Sequence, residues 1–368
     1  MVKLRLDKEA VEAAVLGGAV LGGGGGGAMA AGRRNGLLAV DLGAPELVDI
    51  EDLPADAVLV TASAVGAPAA KTAYNLPVHY LRAVDLLARQ GGTRAQGFIT
   101  NECGGAAAVN GWLQSAALGV PVVDAPCNGR AHPTGVMGSL GLHAVQGYVS
   151  EQTAVGGDPA AGRYVEMYAR GSLEKAAALV RQAAVQAGGM VAVARNPVTA
   201  AYAKENAALG AVKQCIAVGR AMLDAQGAGA LAMVGAACGV LRGEIVARGS
   251  VAKVSLETRG GFDVGEVVVQ GERETAVLTF WNEYMCLEMS SGPGSTPQRV
   301  ATFPDLLTTF DLATGLPASS AEVAVGQEVA IVLVSRQRLI LGAGMRDPDL
   351  MRPIEETTGK EILKYVFP

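Results

Sequence analysis

The sequence is short of the features that mark several large functional classes. Aromatic residues fill only 4% of its 368 positions and charged residues only 18%, with a formal net charge of −5. No cluster of lysine or arginine stands out, so nucleic acid is excluded as an expected partner. No apolar run reaches the roughly 18 residues of a membrane-spanning helix, and no membrane partner is expected. The five cysteines are odd in number and widely spaced, which makes no disulfide framework. They suit a reducing, cytoplasmic setting with free thiols. Histidine occurs only three times, so imidazole chemistry has few candidates.

What is abundant is small and apolar. Half the residues are hydrophobic and 49 are glycine. Small side chains let elements pack closely, so a compact α/β or α+β protein of one large or two smaller domains is expected. The opening "MVKLRLDKEAVEAAVLGGAVLGGGGGG" begins in basic-then-apolar order, but Asp7, Glu9 and Glu12 interrupt it. Residues 7–20 therefore read as an amphipathic helix ending in a loop, not as a signal peptide.

Further on, "AVLVTASAV" (57–65), "AQGFIT" (95–100) and "VPVVD" (120–124) read as strands, with "GAP" (66–68) ending the first. A helical stretch separates the second and third, which makes a βαβ unit with parallel strands. Ligands of open parallel sheets bind at the carboxyl ends of the strands. Glu102 and Cys103 are therefore expected to face one crevice with Asp124, Cys127, Arg130 and His132. Six glycines at 22–27, among them Gly24 and Gly25, offer a backbone that closely approaches another group. They follow a helix instead of a strand, and no Lys-Ser/Thr comes after, so no phosphate-loop motif is present. A nucleotide-binding enzyme is the weakest reading.

After residue 163 the character changes. Helices are expected at 173–189 and 205–227, then alternating strands from 240, including "VGQEVAIVLV" (325–334). The expected organisation is an α/β domain with parallel strands over 1–163 and a β-rich α+β domain over 164–368. Asn282 and Glu283 interrupt a β run and either reach the crevice from the second domain or mark a turn.

Cys103, Cys127 and His132 admit three readings. They hold a catalytic zinc with one open position, with Glu102 moving protons for its water. Alternatively, His132 activates Cys103 or Cys127 as a nucleophile, or the thiols are merely buried. Asp124 is either catalytic or bonded to loop amides. Arg130 either clamps a substrate carboxylate or forms a structural ion pair. Cys215, Cys238 and Cys286 read as core residues.

The ordered set "LGGGGGG", "GAP", "ECGG", "LGVPVVDA", "GRA.P", "NE", "PDLLTTFDLATGLP" and "VGQEVAIV" resembles the S-methyl thiohydantoin desulfurase family over residues 8–355. The resemblance implies an N-terminal α/β domain, a C-terminal domain rich in β structure, and hydrolytic removal of sulfur from a five-membered ring. By motif it carries over Glu102, Gly104 and Gly105, then Asp124, Gly129, Arg130, Ala131 and Pro133, then Asn282 and Glu283. The chain departs from many relatives at Ala107, Pro126 and His132, which marks a subgroup with its own Cys/His chemistry.

The expected function is hydrolysis of a small-molecule cyclic amide or isothiourea between the two domains. Glu102, Asp124, Cys127, Arg130 and His132 are the catalytic candidates. Gly24, Gly25, Gly104, Gly105, Asn128, Asn282 and Glu283 are the substrate-binding candidates. A homo-oligomer is expected. The rival reading is a non-catalytic ligand-binding or partner subunit of a hydantoinase-like assembly.

Overall fold

The computed structural model describes residues 3–67, 69–292 and 294–367; Pro68, the end of the "GAP" segment, lies outside them. The first sheet has the order β1-β2-β5-β4-β3-β8-β6-β7. Its strands are β1 (Leu4–Arg5), β2 (Glu46–Val48), β3 (Val58–Gly66), β4 (Gly97–Thr100), β5 (Val122–Val123), β6 (Ser150–Gly156), β7 (Val165–Gly171) and β8 (Met190–Thr199). Strands β2, β5, β4 and β3 run parallel, as the βαβ reading requires. Strand β8 joins β3 antiparallel, and β6 and β7 follow antiparallel beyond it. The expected division at residue 163 falls inside this sheet, because β7 and β8 lie past it in the chain and are hydrogen-bonded into it.

The parallel strands read as unbroken apolar runs because both faces are covered. Val60, Ala62 and Phe98 pack on helix α2 (Pro77–Gly91) through Ala83, Val84 and Leu87. The alternate residues Leu59, Ile99 and Val123 belong to a different cluster on the other face.

Eight antiparallel strands form the second sheet, in the order β13-β12-β11-β10-β9-β16-β14-β15. They are β9 (Glu244–Arg259), β10 (Phe262–Gln270), β11 (Thr275–Trp281), β12 (Glu283–Ser290), β13 (Gln298–Thr302), β14 (Leu306–Asp311), β15 (Pro317–Ala318) and β16 (Glu328–Val334). The chain thus has an N-terminal domain with a mixed sheet and helices, and a C-terminal domain with an antiparallel sheet and helices.

Helix α1 (Lys8–Leu21) is capped by Asp7, whose side chain accepts from the Ala10 amide at 2.8 Å. Its core-facing residues share one cluster with helices at 211–225 and 230–241 and with Leu306, Phe310, Val332 and Val334 of the second sheet. The crossing with the 211–225 helix is very close. A Cβ on Gly17 would stand 1.9 Å from the Cys215 carbonyl oxygen, and one on Gly219 would stand 1.9 Å from that of Ala13. The abundance of small residues is here a packing requirement. Among the described residues, no helix is long and apolar enough to cross a membrane.

Candidate functional site

Three loops converge where α1 ends. After β4, the Thr100 hydroxyl donates to the carbonyls of Glu102 (3.1 Å) and Ala107 (2.7 Å), which folds the "NECGG" segment back on itself. The Ala106 and Ala107 amides then donate to the Gly26 carbonyl at 3.0 and 3.1 Å. The two glycine segments meet backbone to backbone: a Cβ on Gly26 would lie 2.4 Å from the Gly104 Cα. From the other domain, the Tyr284 amide donates to Gly23 O (2.7 Å) and the Ser320 amide to Gly24 O (2.8 Å). The six-glycine run is therefore a strap held between the two domains.

A cavity of about 290 Å³ opens beside this strap. Gly26 and Gly27 line it, with Asn101, Glu102 and Asn110 from the first sheet and the segment His132–Gly135. Arg181 and Arg195 complete one wall, and Asn282 and Glu283 come from the second domain. Asn282 adopts φ 56°, a left-handed conformation that asparagine tolerates better than most residues. Its Oδ1 accepts from the Asp263 amide at 2.9 Å, which fixes the corner from which Glu283 starts β12.

The two carboxyl groups differ in their surroundings. Burial pushes Glu102 up to about 7, against the backbone bond from His132 and the charges of Arg195 and Arg130. Glu283 is raised well above its ordinary value, first by burial and then by the charge of Glu102. Its Oε2 has no hydrogen-bond partner among the described residues.

The His132 amide donates to Glu102 Oε2 at 3.2 Å, and the ring Nε2 lies 3.4 Å from the same oxygen. Nε2 is also 3.4 Å from the Asn101 carbonyl. Two oxygen acceptors around one nitrogen fit the tautomer protonated at Nε2, an assignment from surroundings. Burial, then the charge of Arg195, holds the imidazole down to about 3, so it is neutral near pH 7. Neutral His132 can orient Glu102 but is a poor proton donor.

Several expected residues lie elsewhere. Cys103 sits in the cluster around α1, its Sγ 3.5 Å from the Ala211 carbonyl. Cys127 lies in the cluster on the other side, its Sγ 3.5 Å from the Thr61 hydroxyl. The two thiols and His132 are not brought together. Among the described residues, no group of three or more His, Cys, Asp or Glu is arranged to hold a metal. Burial raises the Cys127 thiol to about 11, and Cys103 is raised well above its ordinary value by the neighbouring Cys215 and by burial. Neither thiol has the depressed pKa of an activated nucleophile.

Asp124 is a helix cap. Its carboxylate accepts from the Val212 and Lys213 amides at 2.8 and 3.3 Å, at the start of the 211–225 helix. Arg130 is wholly enclosed and donates to the carbonyls of Ala131, Pro304 and Asp305, with its guanidinium 4.5 Å from the Phe303 ring centroid. It ties the domains together and does not line the cavity described above. Asn128 bonds the Arg130 carbonyl and the Gly342 amide. Gly24 and Gly25 belong to the strap, Gly104 and Gly105 pack against it, and none of the four lines the cavity.

Sequence reasoning missed Asn101, Asn110, Arg181 and Arg195. Arg195 had a signal: it is a lone charge inside the apolar strand "VAVARNPVT". Arg181 had none, since an arginine on an amphipathic helix ordinarily faces water.

The fold and the site define a two-domain protein with a carboxyl-bearing cavity lined by both domains. Models of the S-Me-THD-like N-terminal and C-terminal domains match residues 9–159 and 172–341. The chain belongs to this family, the S-methyl thiohydantoin desulfurase family that its motifs resemble, and membership supports a thiohydantoin desulfurase-related role. It is similar in fold to a protein from Chromobacterium violaceum solved by X-ray crystallography, with TM-score 0.72 and 20% identity over 100% of this chain and 99% of that one. No curated protein matches the sequence.

Proposed function

We propose that the protein is a hydrolase of a five-membered thiohydantoin-type ring, converting an S-alkyl thiohydantoin to a hydantoin and a thiol. One observation carries this reading within the family's chemistry. Two buried carboxyl groups, Glu102 and Glu283, line one cavity; burial raises both, and the charge of Glu102 raises Glu283 as well. Two buried carboxyl groups so coupled resist ionising together, so one serves as base while the other keeps its proton as acid.

In the substrate, the ring carbon between two nitrogens and one sulfur is electrophilic. Water adds to it while ionised Glu102 takes a water proton. Protonated Glu283 gives its proton to the ring nitrogen whose C=N bond opens. The tetrahedral carbon then carries a hydroxyl and the S-alkyl group. Glu283 takes the hydroxyl proton as the carbonyl forms, the C–S bond breaks with its electron pair on sulfur, and Glu102 protonates the departing thiolate. Both carboxyl groups return to their starting states. His132 holds Glu102 in position throughout.

The test is turnover of an S-methyl thiohydantoin in ¹⁸O-labelled water. The expected result is methanethiol and a hydantoin carrying one ¹⁸O at the former C–S carbon. Absence of thiol release by the folded protein would overturn the reading.

A further inference from the structure

A second cavity, of about 380 Å³, adjoins the first. The two share Val65, Thr134, Gly135, Arg181 and Arg195 as a common wall. Beyond that wall, the second cavity is lined by apolar groups that include Val136, Val180, Phe262 and Trp281, with Glu174 its one carboxyl group.

The two arginines in the wall are held differently. Arg181 is engaged by the protein itself: it donates to the carbonyls of Gly66, Gly261 and Pro133, and its guanidinium lies 3.9 Å from the Phe262 ring centroid. Arg195 is only 2% exposed, and its Nε has no hydrogen-bond partner among the described residues. Its Nη1 lies against Gly135, where a Cβ would come within 2.6 Å, and Gly135 lines both cavities. A buried guanidinium normally requires an anionic or hydrogen-bonding partner, because desolvation of an unpaired charge costs so much. The acidic groups near Arg195 are the Cys127 thiol and then Glu102, and neither is hydrogen-bonded to it; Glu102 accepts from the His132 amide.

We infer that Arg195 grips a carboxylate carried on the substrate's ring substituent, while the ring lies beside Glu102 and Glu283. A carboxylate fits the planar fork of a guanidinium bidentately. The apolar lining beyond the wall covers the remainder of the substituent. Gly135 keeps the fork accessible, since any side chain there would occupy the space of Nη1. This assignment rests on the proposed reaction for the identity of the ring but not for the charge of the substituent.

The test compares binding of hydantoin-5-acetic acid and its neutral primary amide by calorimetric titration, which needs no turnover. The wild-type protein is expected to prefer the acid by about 30-fold or more. Arg195→Gln should bring the ratio to near one, and Arg195→Lys should restore part of it. Equal binding of acid and amide, binding of neither, or an acid preference that survives in Arg195→Gln would overturn the inference. So would inorganic phosphate displacing the acid at equal concentration. If Arg195→Gln fails to fold, the wild-type ratio and the Lys variant decide. Turnover of the S-methyl thiohydantoin is measured apart. Acid preference without turnover would sink the desulfurase reading alone, and turnover without acid preference would sink the carboxylate anchor alone.

Discussion

Gly25 lies directly over the Glu283 carboxyl group: a Cβ at residue 25 would stand 2.0 Å from Oε1. Its φ is not in the left-handed region, so an alanine there suffers from the contact and not from its backbone. The strap from one domain thereby sets where the acid of the other can sit. Gly25→Ala should displace Glu283 and lower kcat by about 100-fold, because misplacement of about an ångström is enough. Overpacking should cost about 1–3 kcal/mol. Steady-state kinetics and thermal denaturation of the variant check both. Unchanged kcat would remove Glu283 from the reaction.

Glu102→Gln should abolish most activity and raise stability together. Loss of the base should lower kcat by about 100-fold or more. The amide carries no buried charge, so stability near pH 7 should rise by about 1–3 kcal/mol. Chemical denaturation measures the second effect. A Gln variant that is both active and less stable would contradict the assigned role.

The pH dependence follows in sign from the same groups. Activity should rise as Glu102 ionises near pH 7 and fall at higher pH as Glu283 loses its proton. Stability runs the other way. Glu102 has an ordinary value of 4.5 and a folded value of about 7. Between these, the folded state retains a proton that the unfolded chain has lost, so this group's contribution falls as pH rises from 4.5 to about 7 and is level above. Calorimetric melting across that window, for wild type and Glu102→Gln, should show a steeper loss in the wild type.

Asp124→Asn should leave kcat/KM within about threefold of wild type, since residue 124 caps a helix away from the cavity. Burial pushes Asp124 up to about 6 despite the two amide bonds. The variant should therefore lose the decline in stability that accompanies its ionisation between pH 3.8 and 6. A large fall in kcat with unchanged KM would return Asp124 to the catalytic set.

Cys103→Ala and Cys127→Ala each empty a small buried site. Each should cost about 1 kcal/mol or more of stability and leave kcat within about threefold once folded. Resistance of the wild type to thiol-alkylating reagents should accompany this, because both thiols are enclosed. Inactivation by alkylation of Cys127 would revive the nucleophile reading.

Much of the scaffold was legible along the chain. Apolar runs ended by glycine and proline marked the parallel strands, and alternation marked the second sheet, because these patterns follow from local burial. The helix read over residues 7–20 is α1, Lys8–Leu21. Topology sends the "ECGG" loop to the carboxyl edge of its parallel strand, but the sequence left open whether Asn282 and Glu283 reach that crevice or mark a turn. What sequence left open was the direction in which each side chain points. Cys103 and Glu102 are neighbours in the chain, yet one faces the α1 cluster and the other the cavity. Asp124, Cys127 and Arg130 leave the same strand end and turn to a helix terminus, a packed core and a domain junction. Those choices depend on which distant groups arrive opposite them: the Val212 amide, the Thr61 hydroxyl, the Pro304 carbonyl. Arg195 shows the same limit, since a charge within an apolar strand is visible in sequence, but only the tertiary structure gives it a cavity to face. Local patterning determined the elements, while long-range packing and the cost of burying charge decided which side chains form the site.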